Sequence, residues 1–283
     1  MSPSATAGRV REALLAATGA FTAAGIDAPR LDAELLLAEA TGWDRAQLAA
    51  EPEAGIEPAA ARRFAEMVRR RIRREPVAYI LGRKGFRDIE LAVDPRVLIP
   101  RPESELLVEI AGELEPHTVL DVGTGSGAIA LTVARELPEC EIIATDTSDS
   151  ALELARENAE RLGLAGRVTF ERGTVPPGRR FDLILANLPY VREEEIASLQ
   201  PEIRDYEPRQ AVVAGTEGLE AIAVVAAAAG AALTDRGGLA LEVGAGQAGA
   251  VAELLVDLGF MQVEGRQDLA GIPRVVLGRL SAN

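Results

Sequence analysis

Residues 118–130 read T-V-L-D-V-G-T-G-S-G-A-I-A. A strand-like run, Thr118 to Val122, meets three glycines at alternate positions, Gly123, Gly125 and Gly127, with Thr124 and Ser126 between them; Ala-Ile-Ala then begins a helical pattern. Glycine permits the tight turn and the close approach of a ligand, and the helix behind the loop points its free N–H groups at whatever is bound. The alternation recurs downstream. E-I-I-A-T-D (141–146), R-V-T-F (167–170), F-D-L-I-L-A-N (181–187) and G-L-A-L-E-V-G (238–244) read as further strands. F-M-Q-V-E (260–264) and R-V-V-L-G-R-L (274–280) read as two more, with no helix between them. This pattern predicts an α/β fold: a Rossmann-like sheet of seven strands, parallel with helices on both faces and ending in an antiparallel hairpin.

The chain ahead of this region has another character. Residues 1–75 predict a small helical-bundle domain, with Leu31, Leu35, Leu36 and Leu37 at helical spacing and Gly25, Gly42 and Gly55 as punctuation. They hold 11 Arg and 11 acidic residues, so the net charge of −14 lies almost wholly beyond them. Arg62–Arg74 contains seven Arg, with Phe64, Met67, Val68 and Ile72 on one face. It predicts a solvated helix face or, alternatively, a docking patch for an acidic partner. Residues 76–102, with the alternating F-R-D-I-E-L-A-V-D and Pro95, Pro100 and Pro102, predict a β-hairpin or extended linker; residues 103–283 form the α/β domain.

Composition excludes several chemistries. The single Cys140 allows neither an intramolecular disulfide nor a cysteine zinc cluster, and the single His117 gives a His-based metal site or Ser-His-Asp triad little to work with. No metal is expected. The acidic balance, 44 Asp plus Glu against 30 Lys plus Arg, argues against a stable grip on nucleic acid. The Ala-rich stretch Ala221–Leu233, interrupted by Gly230, is too short to span a bilayer, and M-S-P-S-A-T-A-G-R lacks an apolar signal core. The expectation is a soluble cytoplasmic protein without a membrane partner.

Asp146 ends the second strand, 23 residues after Gly123, where an acid accepts hydrogen bonds from both ribose hydroxyls of a nucleoside. A dinucleotide oxidoreductase uses similar parts, but with G-x-G-x-x-G spacing; here the third glycine comes one residue early. Asp121 suits a ligand with an ammonium group better than a pyrophosphate. S-adenosylmethionine has an ammonium group, a ribose and no phosphate.

The fourth strand ends in A-N-L-P-Y, residues 186–190. In this fold its end lies beside the first strand, which places Asn187 near the transferable methyl. A planar nitrogen, in an amide or an exocyclic base amine, is a poor nucleophile because its lone pair is delocalised. The Asn187 side-chain oxygen and the Leu188 carbonyl can accept its two hydrogens and align it. Pro189 stiffens the turn, and Tyr190 can pack against the flat substrate group.

This stretch resembles the Asn-Pro-Pro-Tyr signature of methyltransferases that act on planar nitrogens, with Leu188 in place of the first Pro. An Asn-Leu-Pro-Tyr variant also occurs in rRNA adenine dimethylases, so the motif alone leaves the substrate open. A-G-I-D-A-P-R-L-D-A-E-L-L-L (24–37), P-V-A-Y-I-L-G (76–82), V-L-I-P-R-P-E-S-E (97–105), Y-E-P-R-Q-A-V-V-A-G-T-E-G-L (206–219) and D-L-A-G-I-P-R-V-V (268–276) together resemble the release-factor glutamine N5-methyltransferases over residues 12–280. The resemblance implies methyl transfer from S-adenosylmethionine to the glutamine of the Gly-Gly-Gln loop of peptide chain release factors. Carried over by position, Asp121, Gly123 to Gly127, Asp146 and Asn187 bind the cofactor, while Asn187, Leu188, Pro189 and Tyr190 hold the glutamine. Thr174 falls where an acid often meets the adenine, and Ser104 stands where Thr is usual. Glu103 and Glu105 either face the cofactor pocket or act as acids at a helix N-terminus. The competing readings are an adenine N6-methyltransferase, a cofactor-binding scaffold without turnover, and an NAD-dependent dehydrogenase.

Overall fold

The computed structural model describes residues 8–281. Its contacts divide the chain into two compact units, one ending at Gly82 and the other beginning at Arg83.

The first unit contains α1 (Val10–Ala23), α2 (Pro29–Thr41), α3 (Arg45–Ala50), α4 (Pro58–Ile72) and α5 (Val77–Leu81). Val10, Leu14, Ala17 and Phe21 form a buried stripe on α1 and share a core with Leu36, Leu37 and Ala40 of α2 and Phe64 of α4. Proline occupies the first turn of α2 and α4, where its missing N–H costs nothing, and Asp44 caps α3 by accepting from Gln47 N at 2.7 Å.

One expectation for this unit is corrected and another holds in part. Residues 77–81, assigned above to the linker, form α5, because Tyr79 and Ile80 are buried and Gly82 ends the helix in the left-handed conformation. The arginine row is solvated in part, with Arg62, Arg63, Arg69 and Arg73 exposed, but its other members turn inward. Arg71 is buried and donates to Asp32 at 2.7 Å; Arg63 donates to the Ala40 carbonyl at 2.6 Å; Arg74 reaches the Ala24 and Gly25 carbonyls. Arg70 pairs with Glu75. Asp32 takes the inward place on α2 while Leu31 is exposed, and on α4 Ile72 is exposed while Arg71 turns in. A buried ion pair has displaced two hydrocarbon side chains from the stripes.

The second unit opens with a hairpin, β1 (Arg83–Phe86) and β2 (Ile89–Ala92), followed by α6 (Glu105–Leu114). Strands and helices then alternate through β3 (Thr118–Val122), α7 (Ala128–Glu136), β4 (Glu141–Asp146), α8 (Asp149–Arg161) and β5 (Val168–Arg172), and β6 (Phe181–Ala186) follows β5 without a helix between them. An irregular excursion follows, with β7 (Val191–Arg192), α9 (Pro201–Tyr206), α10 (Arg209–Val212) and β8 (Val213–Gly215). The chain closes with α11 (Glu220–Ala232), β9 (Leu233–Glu242), α12 (Ala248–Asp257), β10 (Met261–Gln267) and β11 (Pro273–Arg279).

Seven strands form one sheet in the order β10-β11-β9-β6-β3-β4-β5. The pairs among β9, β6, β3, β4 and β5 are parallel, and β11 is antiparallel to both neighbours. Alternate side chains feed two cores: Val119, Leu183 and Leu185 pack on one side, Leu120, Ile184 and Ala186 on the other. No described helix is long and apolar enough to cross a membrane.

Candidate active site

Strand order reverses about β3, with β4 on one flank and β6 on the other, so their carboxyl ends frame a crevice. A cavity opens there, lined by the glycine loop, Asp146, Thr174, and Asn187 to Pro189.

The glycine loop is held by its own neighbourhood. Gly123, Gly125 and Gly127 have φ of 76°, 56° and 84°, in the left-handed region that favours glycine. Gly123 and Thr124 donate to the Thr145 carbonyl at 2.8 and 2.9 Å. Asp146 accepts from Gly125 N and from Ser148 N, both at 2.9 Å, and so braces the loop while bordering the cavity. The buried Asn158 donates to the Ser126 and Ala92 carbonyls and accepts from Ala92 N, tying the loop to β2. Gly127 lies behind the cavity wall. A Cβ there would come within 2.8 Å of Leu131 Cδ1, so the position serves helix packing.

Asp121 is fully buried. Its Oδ2 accepts from Thr124 Oγ1 at 2.6 Å and from Ala130 N at 3.2 Å, while Oδ1 has no partner. Burial pushes its carboxyl up to about 7, against the pull of those two hydrogen bonds. It stands behind the lining, with unspent acceptor capacity.

The loop after β6 is held from a distance. A Cβ on Gly123 would lie 3.3 Å from the Asn187 carbonyl and from Leu188 Cδ2, so this glycine is where the two loops approach. Leu188 is buried in the core below, which anchors the turn at the place of the usual proline. Asn187 Nδ2 donates to Ser104 Oγ at 2.9 Å, and Ser104 Oγ donates to Glu242 Oε2 at 2.6 Å. Among the described residues, neither Asn187 Oδ1 nor the Leu188 carbonyl accepts a hydrogen bond. The Tyr190 carbonyl accepts from Gln247 Nε2 at 2.9 Å, and Gln247 Oε1 accepts from Gly244 N. The Tyr190 ring is off the cavity lining, and burial pushes its hydroxyl up to about 12.

Outer ties join stretches distant in sequence. Buried Glu207 accepts from Arg101 at 2.5 Å and from Ile99 N at 3.4 Å. Arg274 donates to Asp268 at 3.0 Å and lies 3.8 Å from Glu103. Glu103 and Glu105 do not line the cavity: Glu105 accepts from Arg87 N, and both stand in the first turns leading into α6.

Of the sequence-derived candidates, the cavity brings together Ser104, Gly123, Thr124, Gly125, Ser126, Asp146 and Thr174 with Asn187, Leu188 and Pro189. Asp121, Gly127 and Tyr190 stand behind it. Sequence reasoning missed Arg96 to Leu98 on the cavity wall, and Glu207, Glu242 and Gln247 in the support. An acid inside the apolar strand L-A-L-E-V was a visible signal for Glu242; Gln247 offered none.

Two family models match: the PrmC N-terminal domain over residues 12–82 and the methyltransferase small domain over residues 102–202. A release factor glutamine methyltransferase of Geobacter sulfurreducens is 40% identical over 276 residues, covering 96% of each chain. One of Cereibacter sphaeroides is 42% identical over 278 residues, covering 97% of this chain and 99% of its own. In three dimensions, a methyltransferase from Pyrococcus furiosus superposes with a TM-score of 0.51 at 18% identity, over 68% of this chain and 88% of its own. The hMettl16 catalytic domain superposes with a TM-score of 0.54 at 16% identity, over 66% and 74%. These two share the fold. Full-length identity at this level, on a sheet whose crevice joins a glycine loop to an Asn-Leu-Pro-Tyr turn, places the chain in the release factor glutamine methyltransferase family, enzymes whose methyl donor is S-adenosylmethionine.

Proposed function

We propose that this enzyme methylates the side-chain nitrogen N5 of the glutamine in the Gly-Gly-Gln loop of peptide chain release factors. The observation that supports this reading is that Asn187 Oδ1 and the Leu188 carbonyl, on residues that line the cavity with the glycine loop, are not engaged by any described residue. A primary carboxamide has two N–H donors to match them.

Bound S-adenosylmethionine supplies an electrophilic methyl on a sulfonium sulfur. Asp146 would take the ribose hydroxyls with the carboxylate lone pairs that the Gly125 and Ser148 amides leave free. Asp121, through its unpartnered Oδ1, supplies negative charge behind the loop for the ammonium group. Thr174 borders the adenine end. Asn187 and Leu188 would hold the amide hydrogens and so orient the nitrogen toward the methyl that the cofactor supplies. Methyl transfer would form the N–C bond while the C–S electron pair leaves with a neutral thioether, and one N–H proton would be released to solvent. The two oxygens stabilise the positive charge that builds on nitrogen and act without reorganising. Tyr190 backs the acceptor side from behind the lining.

A lone glutamine offers little binding energy, so the helical first unit is assigned the remote contacts with the protein substrate. Mass spectrometry of release factor after incubation with enzyme and S-adenosylmethionine should show one added CH₂ on the Gly-Gly-Gln glutamine. Transfer to nucleic acid, or to another residue, would overturn the assignment.

A further inference from the structure

The Asn187 amide has two possible orientations, and only one presents an oxygen to the substrate. We infer that Ser104 and Glu242 are positioning residues that fix this choice, through the chain Glu242 ← Ser104 ← Asn187. The inference rests on the role proposed for Asn187 above.

The chain's polarity follows from proton counting. Ser104 has one hydrogen, and Glu242 Oε2 takes it at 2.6 Å, a length typical of a hydroxyl donating to a carboxylate. Ser104 Oγ then has only lone pairs left for Asn187, so the amide must offer its NH₂, which it does at 2.9 Å. The oxygen is thereby turned to the other side, where no described residue engages it. Ser104 and Glu242 are buried, at 3% and 2% exposure, and Ser104 meets the cavity wall beside Asn187.

The arrangement depends on an ionised Glu242. Burial pushes its carboxyl up to about 7, the Ser104 hydrogen bond lowers it, Glu103 raises it, and Arg274 and Arg101 lower it; Tyr190 faces it as a neutral phenol. A protonated Glu242 can donate to Ser104, which then turns its hydrogen to Asn187 and leaves the amide free to flip, NH₂ toward the substrate. Below that point the oxygen is no longer committed.

The test uses the full-length enzyme with release factor and saturating S-adenosylmethionine, in single turnovers. Cofactor Kd is measured in parallel to report an intact site. Ser104→Ala should lower the methyl-transfer rate by about tenfold or more, the scale of a misplaced reacting group, with cofactor Kd within about twofold on the same reasoning. Ser104→Thr, which keeps the hydroxyl, should restore the rate. Ser104→Ala combined with Asn187→Ala should be no slower than Asn187→Ala alone, because both act through one amide. The parent rate should fall on the acid side with a midpoint near 7, and Glu242→Gln should be slower but lack that acid limb.

Parental rates in Ser104→Ala, multiplying losses in the double variant, a parallel loss of cofactor binding, or an unchanged acid limb in Glu242→Gln would each overturn the relay. If Ser104→Ala fails to fold, the Glu242→Gln profile decides. Full activity in Asn187→Ala would sink the reading beneath it; loss there with a normal Ser104→Ala would sink the relay alone.

Discussion

The loops that follow β3 and β6 meet at Gly123, yet they are built in opposite ways. The glycine loop is fixed mainly by residues close in sequence or on the adjacent strand: positive φ at three glycines, two amides on the Thr145 carbonyl, and Asp146 on Gly125, with Asn158 of α8 as a more distant tie. The Asn187 loop is fixed by residues far away, Ser104 at 83 positions' separation and Gln247 at 57 from Tyr190. On the proposed reading, one loop offers backbone and a carboxylate to the methyl donor. On the same reading the other aims the Asn187 amide oxygen, and aiming requires support from several directions. Cofactor capture and acceptor alignment should therefore fail separately.

The sharpest separation is expected from Asn187→Ala. Losing one preorganised oxygen should lower turnover by roughly 10² or more, while titration calorimetry finds cofactor affinity little changed. Asp146→Ala is the mirror image. It should weaken cofactor binding by about 1–3 kcal/mol, the cost of lost hydrogen bonds to a charged group, yet approach parental turnover once cofactor is saturating. Substitution at the junction should blur the distinction. Gly123→Ala places a Cβ 3.3 Å from the Asn187 carbonyl at a φ of 76°, and the strain of about 1–2 kcal/mol should depress affinity and turnover together. An effect on only one of them would mean that the loops are not coupled there.

The smallest expected effect is on stability. Asp121 and Glu242 are both pushed up to about 7 in the folded protein by burial, above the range of about 3.9–4.3 for exposed carboxyls. Their contribution to stability is present in full below the unfolded value and is lost as pH rises through about 7, where the buried groups must ionise. Without cofactor, thermal unfolding should therefore occur at lower temperature at pH 8 than at pH 6, and Asp121→Asn should recover part of the difference. The same variant should bind cofactor more weakly. A variant both more stable and equally tight would remove Asp121 from the cofactor account.

This contrast also explains what could be read in the chain beforehand. The sheet was legible because strand–helix alternation and the three glycines are local patterns, and the antiparallel end followed from two strands with no helix between them. Asn187 was legible as an interruption of an apolar strand, but the direction of its amide was not. That depends on Ser104 and on Glu242, 138 residues further on, and no periodicity links them. The inward turn of Arg71 was hidden for the same reason: it lies on α4 and its buried partner Asp32 on α2, 39 residues earlier. Hydrophobic periodicity marks the buried face but does not reveal a buried ion pair that displaces a hydrocarbon from it.

The most direct measurement is a crystal structure of the enzyme with S-adenosylhomocysteine and a Gly-Gly-Gln peptide. The expected result is the glutamine nitrogen within hydrogen-bond reach of both Asn187 Oδ1 and the Leu188 carbonyl, in line with the cofactor sulfur. A glutamine held by other groups, with the Asn187 oxygen turned toward Ser104, would contradict the account.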